Sequence, residues 1–410
     1  MTTPTLDQLL MRQRLLVAVG PGGVGKTTVS AAIALRAAEL GRRTLVLTID
    51  PAKRLADALG LTGLDDRIRE VPTTSLAGAG VVVKGSLHAA MFDNATSMDS
   101  LMARVAPDTA TRDKVLRNRV YRAMAGTLAR SHAYLAMERL YEVMNSGHYD
   151  LVVLDTPPAR NALDILDAPS RLASFLEEGV VKWFAGQKQG GGWRAKLMQT
   201  SGAAAVKLFE VVVGKELADE TINFFDAFYG MREGFHQRAE ATQKILRAKD
   251  TSFVLVSSAD ATHLADADAL ARGITSRGVP IGVAVFNRSY ERLVHADPLA
   301  IVTEPGELDI PAALQKLFQG ELDHIEREGM RSLLASLHAV RKAAAIGNAR
   351  AIAAVRKLAG VLPKDVLMLI VARLDADIRD LPGLHAMAPY LAVPRELGQQ
   401  TSAPPNPARK

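Results

Sequence analysis

The sequence predicts an α/β fold: a mostly parallel sheet carrying a large inserted helical lobe. Three observations carry that prediction. A glycine-rich turn joins an apolar strand to a helix near the start of the chain. Short apolar, β-rich runs recur near 15–19, 44–49, 151–154, 252–257, 281–286 and 366–371, and long stretches of helical pattern fall on either side of the third run. Buried strands of a parallel sheet read as such continuous apolar runs because both of their faces are covered.

The first element is Leu15-Leu-Val-Ala-Val-Gly-Pro-Gly-Gly-Val-Gly-Lys-Thr-Thr28, in which Gly20, Gly25, Lys26 and Thr27 fit the spacing G-x-x-x-x-G-K-[ST]. That pattern is the phosphate-binding P-loop. Glycines allow backbone N–H groups to turn inward on a phosphate, a lysine brings a mobile positive charge, and a hydroxyl can ligate Mg²⁺. Gly22, Gly23, Val24, Gly25, Lys26, Thr27 and Thr28 are therefore the predicted phosphate contacts, with Lys26 also catalytic and Thr27 also a metal ligand.

The helix that follows shows apolar spacing from Thr28 to Leu40 and stops at Gly41, a suitable C-cap residue. Thr44 to Ile49 is the next strand, completing a parallel βαβ unit, and Asp50 stands at its carboxyl end, the edge where α/β sheets bind ligands. Val81 to Val83 reads as a short strand and Leu87 to Ser146 as helix. Tyr149 to Pro158 then repeats the strand pattern and closes on Asp155, the Walker B position, whose carboxylate holds Mg²⁺, usually through water.

Phe175 to Lys249 is again helical in pattern, interrupted by the glycine-rich Gln187 to Trp193, which should form a mobile loop. Between Val180 and Phe228 the apolar residues, Phe224, Phe225 and Phe228 among them, exceed what one amphipathic helix needs. That surplus reads either as core or as a groove for an apolar client helix. Strands resume at Ser252 to Ser257 and Ile281 to Phe286, the latter ending in Asn287-Arg288, and a last strand, Val366 to Val371, precedes an Asp/Pro-rich loop and a short helix. The resulting division is a P-loop core at 1–85, 147–170 and 250–393, with a basic helical segment at 307–362, a helical lobe at 86–146 and 171–249, and a disordered tail at 394–410.

Composition limits the chemistry. The chain has 410 residues, 48% of them hydrophobic, enough for a large buried core. No apolar run reaches membrane-spanning length and the N-terminus lacks a signal-peptide pattern, so a cytoplasmic location is expected. There is no cysteine, which removes disulfides, thiolate metal sites and cysteine nucleophiles together. The net charge of +6 is concentrated from Arg327 to Lys364, where eight Lys or Arg face one Glu. That segment reads as a solvated helical face or as a contact for a membrane or receptor. The Asn/Thr-Lys-x-Asp sequence that accompanies guanine specificity is missing, which favours ATP.

Taken together, the P-loop with its Gly-Gly-Val-Gly-Lys-Thr core, Asp50-Pro51-Ala52, Asp155-Thr-Pro-Pro158 with Arg160 to Leu163, Asn287 and the late Pro/Asp-rich loop resemble the ArsA-related ATPases. That group contains the arsenite-pump ATPase and the ATPase that targets tail-anchored membrane proteins. The resemblance implies Mg²⁺-dependent ATP hydrolysis used as a conformational switch. Asp50 would orient or activate the attacking water and join Thr27 and Asp155 around Mg²⁺. Asn287 would read adenine, with Arg288 beside it among the nucleotide contacts, and the loop near Arg373 to Asp377, with Arg373, Leu374 and Asp375 as contacts, would cover the base. It further implies a cytoplasmic homodimer whose closure rearranges the helical lobe to bind and release an apolar client.

Two departures stand out. Family members typically carry lysine at the second P-loop position, reaching across the dimer; here it is Pro21, which leaves Lys53 and Arg54 as candidate substitutes. Without cysteine, neither an arsenite thiolate site nor a dimer-bridging zinc site is expected. Two alternatives remain at this level. One is a positioning or partitioning ATPase acting on a membrane surface or DNA, and the other an ATP-binding assembly scaffold with little turnover.

Overall fold

The apolar runs pair into one twisted sheet. In the computed structural model the described residues are 5–49, 54–65, 67–92, 94–128, 132–158, 214–258, 260–289, 355–374 and 377–392, with isolated positions between 163 and 212 and between 332 and 353. Asp50, Lys53, Asp375, the glycine-rich stretch 187–193, nearly all of the basic segment and the tail lie outside them. Eight strands among the described residues are β1 (Leu15–Val19), β2 (Arg43–Thr48), β3 (Arg69–Glu70), β4 (Ser86–Met91), β5 (Leu151–Asp155), β6 (Thr251–Ser258), β7 (Ile281–Ser289) and β8 (Leu367–Ala372). Their order is β3-β4-β2-β5-β1-β6-β7-β8, parallel throughout except for the β3–β4 pair.

That order puts β5 between β1 and β2. The βαβ unit read from the sequence thus spans a gap that β5 fills, with Asp155 paired to Ala18 on one side and to Thr48 on the other. The carboxylate therefore ends its strand directly beside the P-loop.

Two differences from the sequence reading concern the far edge. Ser86–Met91, inside the stretch read as helix, is strand β4, in register with β2 over all six residues. Val81 to Val83 is not a strand: Val81 is buried while Val82 is 80% exposed, and the segment leads into β4 as loop. Ala and Met favour helix in isolation, but a six-residue pairing with a buried strand outweighs that preference.

Alternation along the strands divides the core. Leu15, Val17, Leu45, Leu47, Val152, Leu154, Phe253 and Leu255 face one side; Leu16, Val46, Val153, Val254 and Val256 face the other. The second side is covered by α1 (Leu6–Arg12), α2 (Lys26–Glu39) and two short C-terminal helices following β8. Arg36 of α2 forks onto Asp7 at 2.6 and 2.9 Å and reaches Glu39 at 2.9 Å, while His385 meets the other oxygen of Glu39 at 3.2 Å. Three segments distant in sequence are so pinned on one helix face.

The first side continues into the helical lobe. After α3 (Arg54–Ala58) and α4 (Thr73–Gly78), which pack on the second side through Leu55, Ala58 and Leu76, the chain runs through α5 (Asn94–Val105), α6 (Thr109–Arg117), α7 (Arg119–Leu128) and α8 (His132–Ser146) of the lobe, and later through α9 (Lys215–Gly230) and α10 (Arg232–Leu246). Phe224, Phe228, Met231 and Phe235 join Tyr121 inside this lobe, with Phe224 and Phe228 stacked at 5.3 Å between ring centroids. Of the aromatic surplus seen in the sequence, Phe224 and Phe228 are therefore core, and Phe225 is partly buried against it. Tyr121 donates to Asp99 at 2.6 Å; burial, then that carboxylate, push its phenol well above the usual range. Glu138 of α8, 7% exposed at its side chain, is met by Arg238 of α10 at 2.8 Å. A buried carboxylate needs such a partner, and the pair fixes how the two helices sit together.

Candidate functional site: a phosphate-binding loop wired to its neighbouring strands

The P-loop leaves β1 by a steric necessity. A Cβ on Gly20 would lie 2.0 Å from the carbonyl oxygen of Val256 in β6, so only glycine lets the strand turn out of the sheet there. Gly20→Ala is expected to force β1 and β6 apart at the mouth of the loop and to cost about 1–3 kcal/mol, measurable by urea denaturation.

Beyond that point Gly23 and Gly25 adopt φ of 78° and 90°, left-handed values that a side chain resists. Gly25 is the N-cap of α2 and supplies no side-chain hydrogen bond. The first turn of a fourteen-residue helix, with half-buried Thr27 and Thr28, so presents amides that no capping side chain consumes. Helix N-termini of this kind hold anions.

Three side chains complete the loop. Lys26 is 8% exposed and arches back so that its ammonium donates to the Pro21 carbonyl at 2.9 Å. The Thr27 hydroxyl donates to Asp155 Oδ2 at 2.7 Å, and Thr48, at the end of β2, donates to the same oxygen at 3.0 Å. Asp155 is fully buried. The structure thus brings together Lys26, Thr27 and Asp155, which the sequence singled out, and adds Thr48, which it did not. The signal for Thr48 was a hydroxyl closing an otherwise apolar strand.

Asn287 and Arg288, at the carboxyl end of β7, reach the loop from two strands away. Asn287 Nδ2 donates to the Val24 carbonyl at 2.9 Å and Arg288 Nη1 to the Gly23 carbonyl at 3.1 Å. Arg373 follows β8 at the same sheet edge, its N–H donating to Ser289 at 2.9 Å, while Leu374 packs partly buried into the second core. Neither makes a hydrogen bond to the P-loop among the described residues. Arg54 opens α3 as an exposed side chain.

Downstream of Asp155 the chain is held as well. Thr156 donates to the Ala18 carbonyl at 2.7 Å, and Gly22 lies against Pro158. Asp167 takes a fork from Arg277 at 2.8 and 3.0 Å, at the end of helix α11 (Ala261–Thr275), and Leu163 covers Gly273 of that helix. Leu163 and Asp167 are therefore seated on α11 and its C-terminal end.

The donor set fits a magnesium-bound nucleoside triphosphate: a hydroxyl and a buried carboxylate for the hard cation, and an ammonium with uncapped amides for the phosphates. A loop wired in this way, on a sheet of this order, defines a P-loop nucleotide-binding core. Residues 13–295, more than half of the chain, match the family model described as anion-transporting ATPase, ArsA ATPase, and the chain belongs to that family. A protein of Prosthecochloris vibrioformis named as an arsenical pump-driving ATPase is 32% identical over 174 residues, covering 39% of this chain and 36% of that one. ATPase ASNA1 homolog 1 of Paramecium tetraurelia is 29% identical over 187 residues, 44% of this chain and 50% of that protein. ATPase get3 of Aspergillus terreus is 23% identical over 288 residues, 70% of this chain and 76% of that protein. The match spans about a third of the length of the arsenical-pump relative.

Proposed function

We propose that the chain hydrolyses ATP with Mg²⁺ and uses the cycle as a conformational switch. The observation that carries this is the joined Lys26, Thr27 and Asp155 arrangement at the head of an uncapped helix. Thr27, supported by Asp155, and Asp50 would hold the cation, which supplies Lewis-acid polarisation of the phosphate oxygens. Lys26 would exchange the Pro21 carbonyl for phosphate oxygens, stabilising charge that develops in the transition state. Asp50, following β2, is the residue proposed to orient the attacking water.

Membership of this family, together with the resemblance of the motifs to the ATPase that targets tail-anchored membrane proteins, supports a client-handling role. We take the client to be an apolar membrane-protein helix, bound by a cytoplasmic homodimer. Because Phe224 and Phe228 are interior, the surface we assign to a client lies at Leu217 in the first turn of α9 and at Val211 and Val212 just before it, all three exposed. Thiolate capture of arsenite is not open to a chain without cysteine.

Partner capture on an Asp50→Asn variant loaded with ATP, with Lys26→Ala as control, tests the reading. Enrichment of proteins bearing one apolar helix on the first variant alone is the expected result. Identical partner sets would refute the client role.

A further inference from the structure

We infer that Asn287 and Arg288 act as a backbone clamp that aims the P-loop's amides at phosphate. The inference rests on the phosphate-binding reading of the loop and gives the end of β7 a role other than the adenine contact that the resemblance implies.

In a trans peptide the carbonyl of one residue and the N–H of the next point in opposite directions from a rigid plane. Arg288 grips the Gly23 carbonyl and Asn287 grips the Val24 carbonyl. With both oxygens held on the β7 side, the N–H groups of Val24 and Gly25 are turned to the opposite side of the loop. Left alone, a run containing two glycines has many ways to rotate these planes. The clamp selects one of them before any ligand arrives, and a binding loop already in its bound conformation forfeits less entropy on binding.

Two further observations show that the contact is built into the chain. Arg288 is the one non-glycine residue with positive φ, 58°, among those described. Left-handed backbone is unfavourable for arginine, and such outliers persist where the surroundings require them. Here the conformation returns the Arg288 N–H to Asn287 Oδ1 at 2.9 Å, which locks the amide group in the orientation that aims Nδ2 at Val24. On the other partner, a Cβ at Gly25 would lie 2.5 Å from Asn287 Nδ2, so the glycine of the motif is also what admits the clamp. Asn287 is itself buried, at 7% exposure.

A clamp on phosphate-binding amides and a contact to the base predict different ligand dependence. The experiment measures binding of ATP and of inorganic triphosphate, which has no base, by calorimetry to the full chain and to Asn287→Ala and Arg288→Gly. The clamp predicts that each variant loses about tenfold in affinity for both ligands, by the same factor. Arg288→Gly adopts φ 58° without strain, so its melting temperature should stay within about 2 °C of the parent and its loss of affinity cannot be put down to unfolding. Weakening of ATP alone would assign Asn287 to the base and overturn the clamp, as would unchanged affinity for both ligands in Arg288→Gly. If the parent chain binds neither ligand, the phosphate-binding reading itself fails; if it binds both and the variants do likewise, only the clamp fails.

Discussion

Lys26→Ala is expected to lower ATP turnover by about 100- to 1,000-fold, the usual loss when one preorganised charge or donor is removed from a transition state. The geometry explains why the effect should be large. Lys26 is only 8% exposed as a residue, so burial costs its ammonium hydration, and the Pro21 carbonyl at 2.9 Å compensates for part of that cost. The charge is thus already inside the loop, bound to a neutral acceptor that a phosphate oxygen would replace with a stronger one. Lys26→Met separates the electrostatic role from packing: it keeps the chain length, removes the buried charge, and should match the alanine variant in lost turnover while melting at or above the parent temperature. Phosphate release and thermal melts read both. Turnover within threefold of the parent in either variant would sink the assignment.

Much of this site was legible because it is local. Gly20 to Thr28 is one contiguous turn, and the run ending in Asp155 is apolar on both faces because Val152 and Leu154 enter one core and Leu151 and Val153 the other. What the sequence withheld is what the sheet order creates. Thr48 and Asp155 lie 107 residues apart and meet only because β2 pairs with β5 in the register Thr48 to Asp155. Asn287 was marked for a base by resemblance, yet its side-chain amide is engaged on both ends by backbone, at Val24 and at Arg288. No periodicity reveals that.

The lobe teaches the same lesson from packing. Phe224 and Phe228 sit four residues apart on α9, a spacing that suits a binding stripe and a core equally, and Tyr121 and Phe235 from other helices decide for the core. Strand β4 went unread since Ser86-Leu-His-Ala-Ala-Met91 has helix-forming composition, and only its pairing with β2 makes it extended. Two-residue β3 carries too little sequence to signal anything.

Asp155→Asn is the second large effect expected, and it should appear first in the metal dependence. The carboxylate accepts from two hydroxyls through one oxygen, Oδ2. An asparagine can keep both of those bonds through its own carbonyl oxygen, which leaves its NH₂ group where the aspartate had a second acceptor. The edge proposed to face the cation then becomes a donor edge while Thr27 and Thr48 remain in place. Groups that orient a metal ligand in this way typically contribute 10- to 100-fold to metal affinity, so Mg²⁺ should have to be raised by about that factor to reach half-maximal turnover. The fold should tolerate the change, since a neutral amide is less costly to bury than a carboxylate. Thr48→Val supplies the graded comparison: it removes one of the two bonds to Oδ2 without touching the charge, and should shift the Mg²⁺ requirement by only a few-fold. A titration of turnover against Mg²⁺ for the parent and both variants gives the ranking directly. An unchanged midpoint in Asp155→Asn would mean that Asp155 holds the strand ends together and has no part in metal binding.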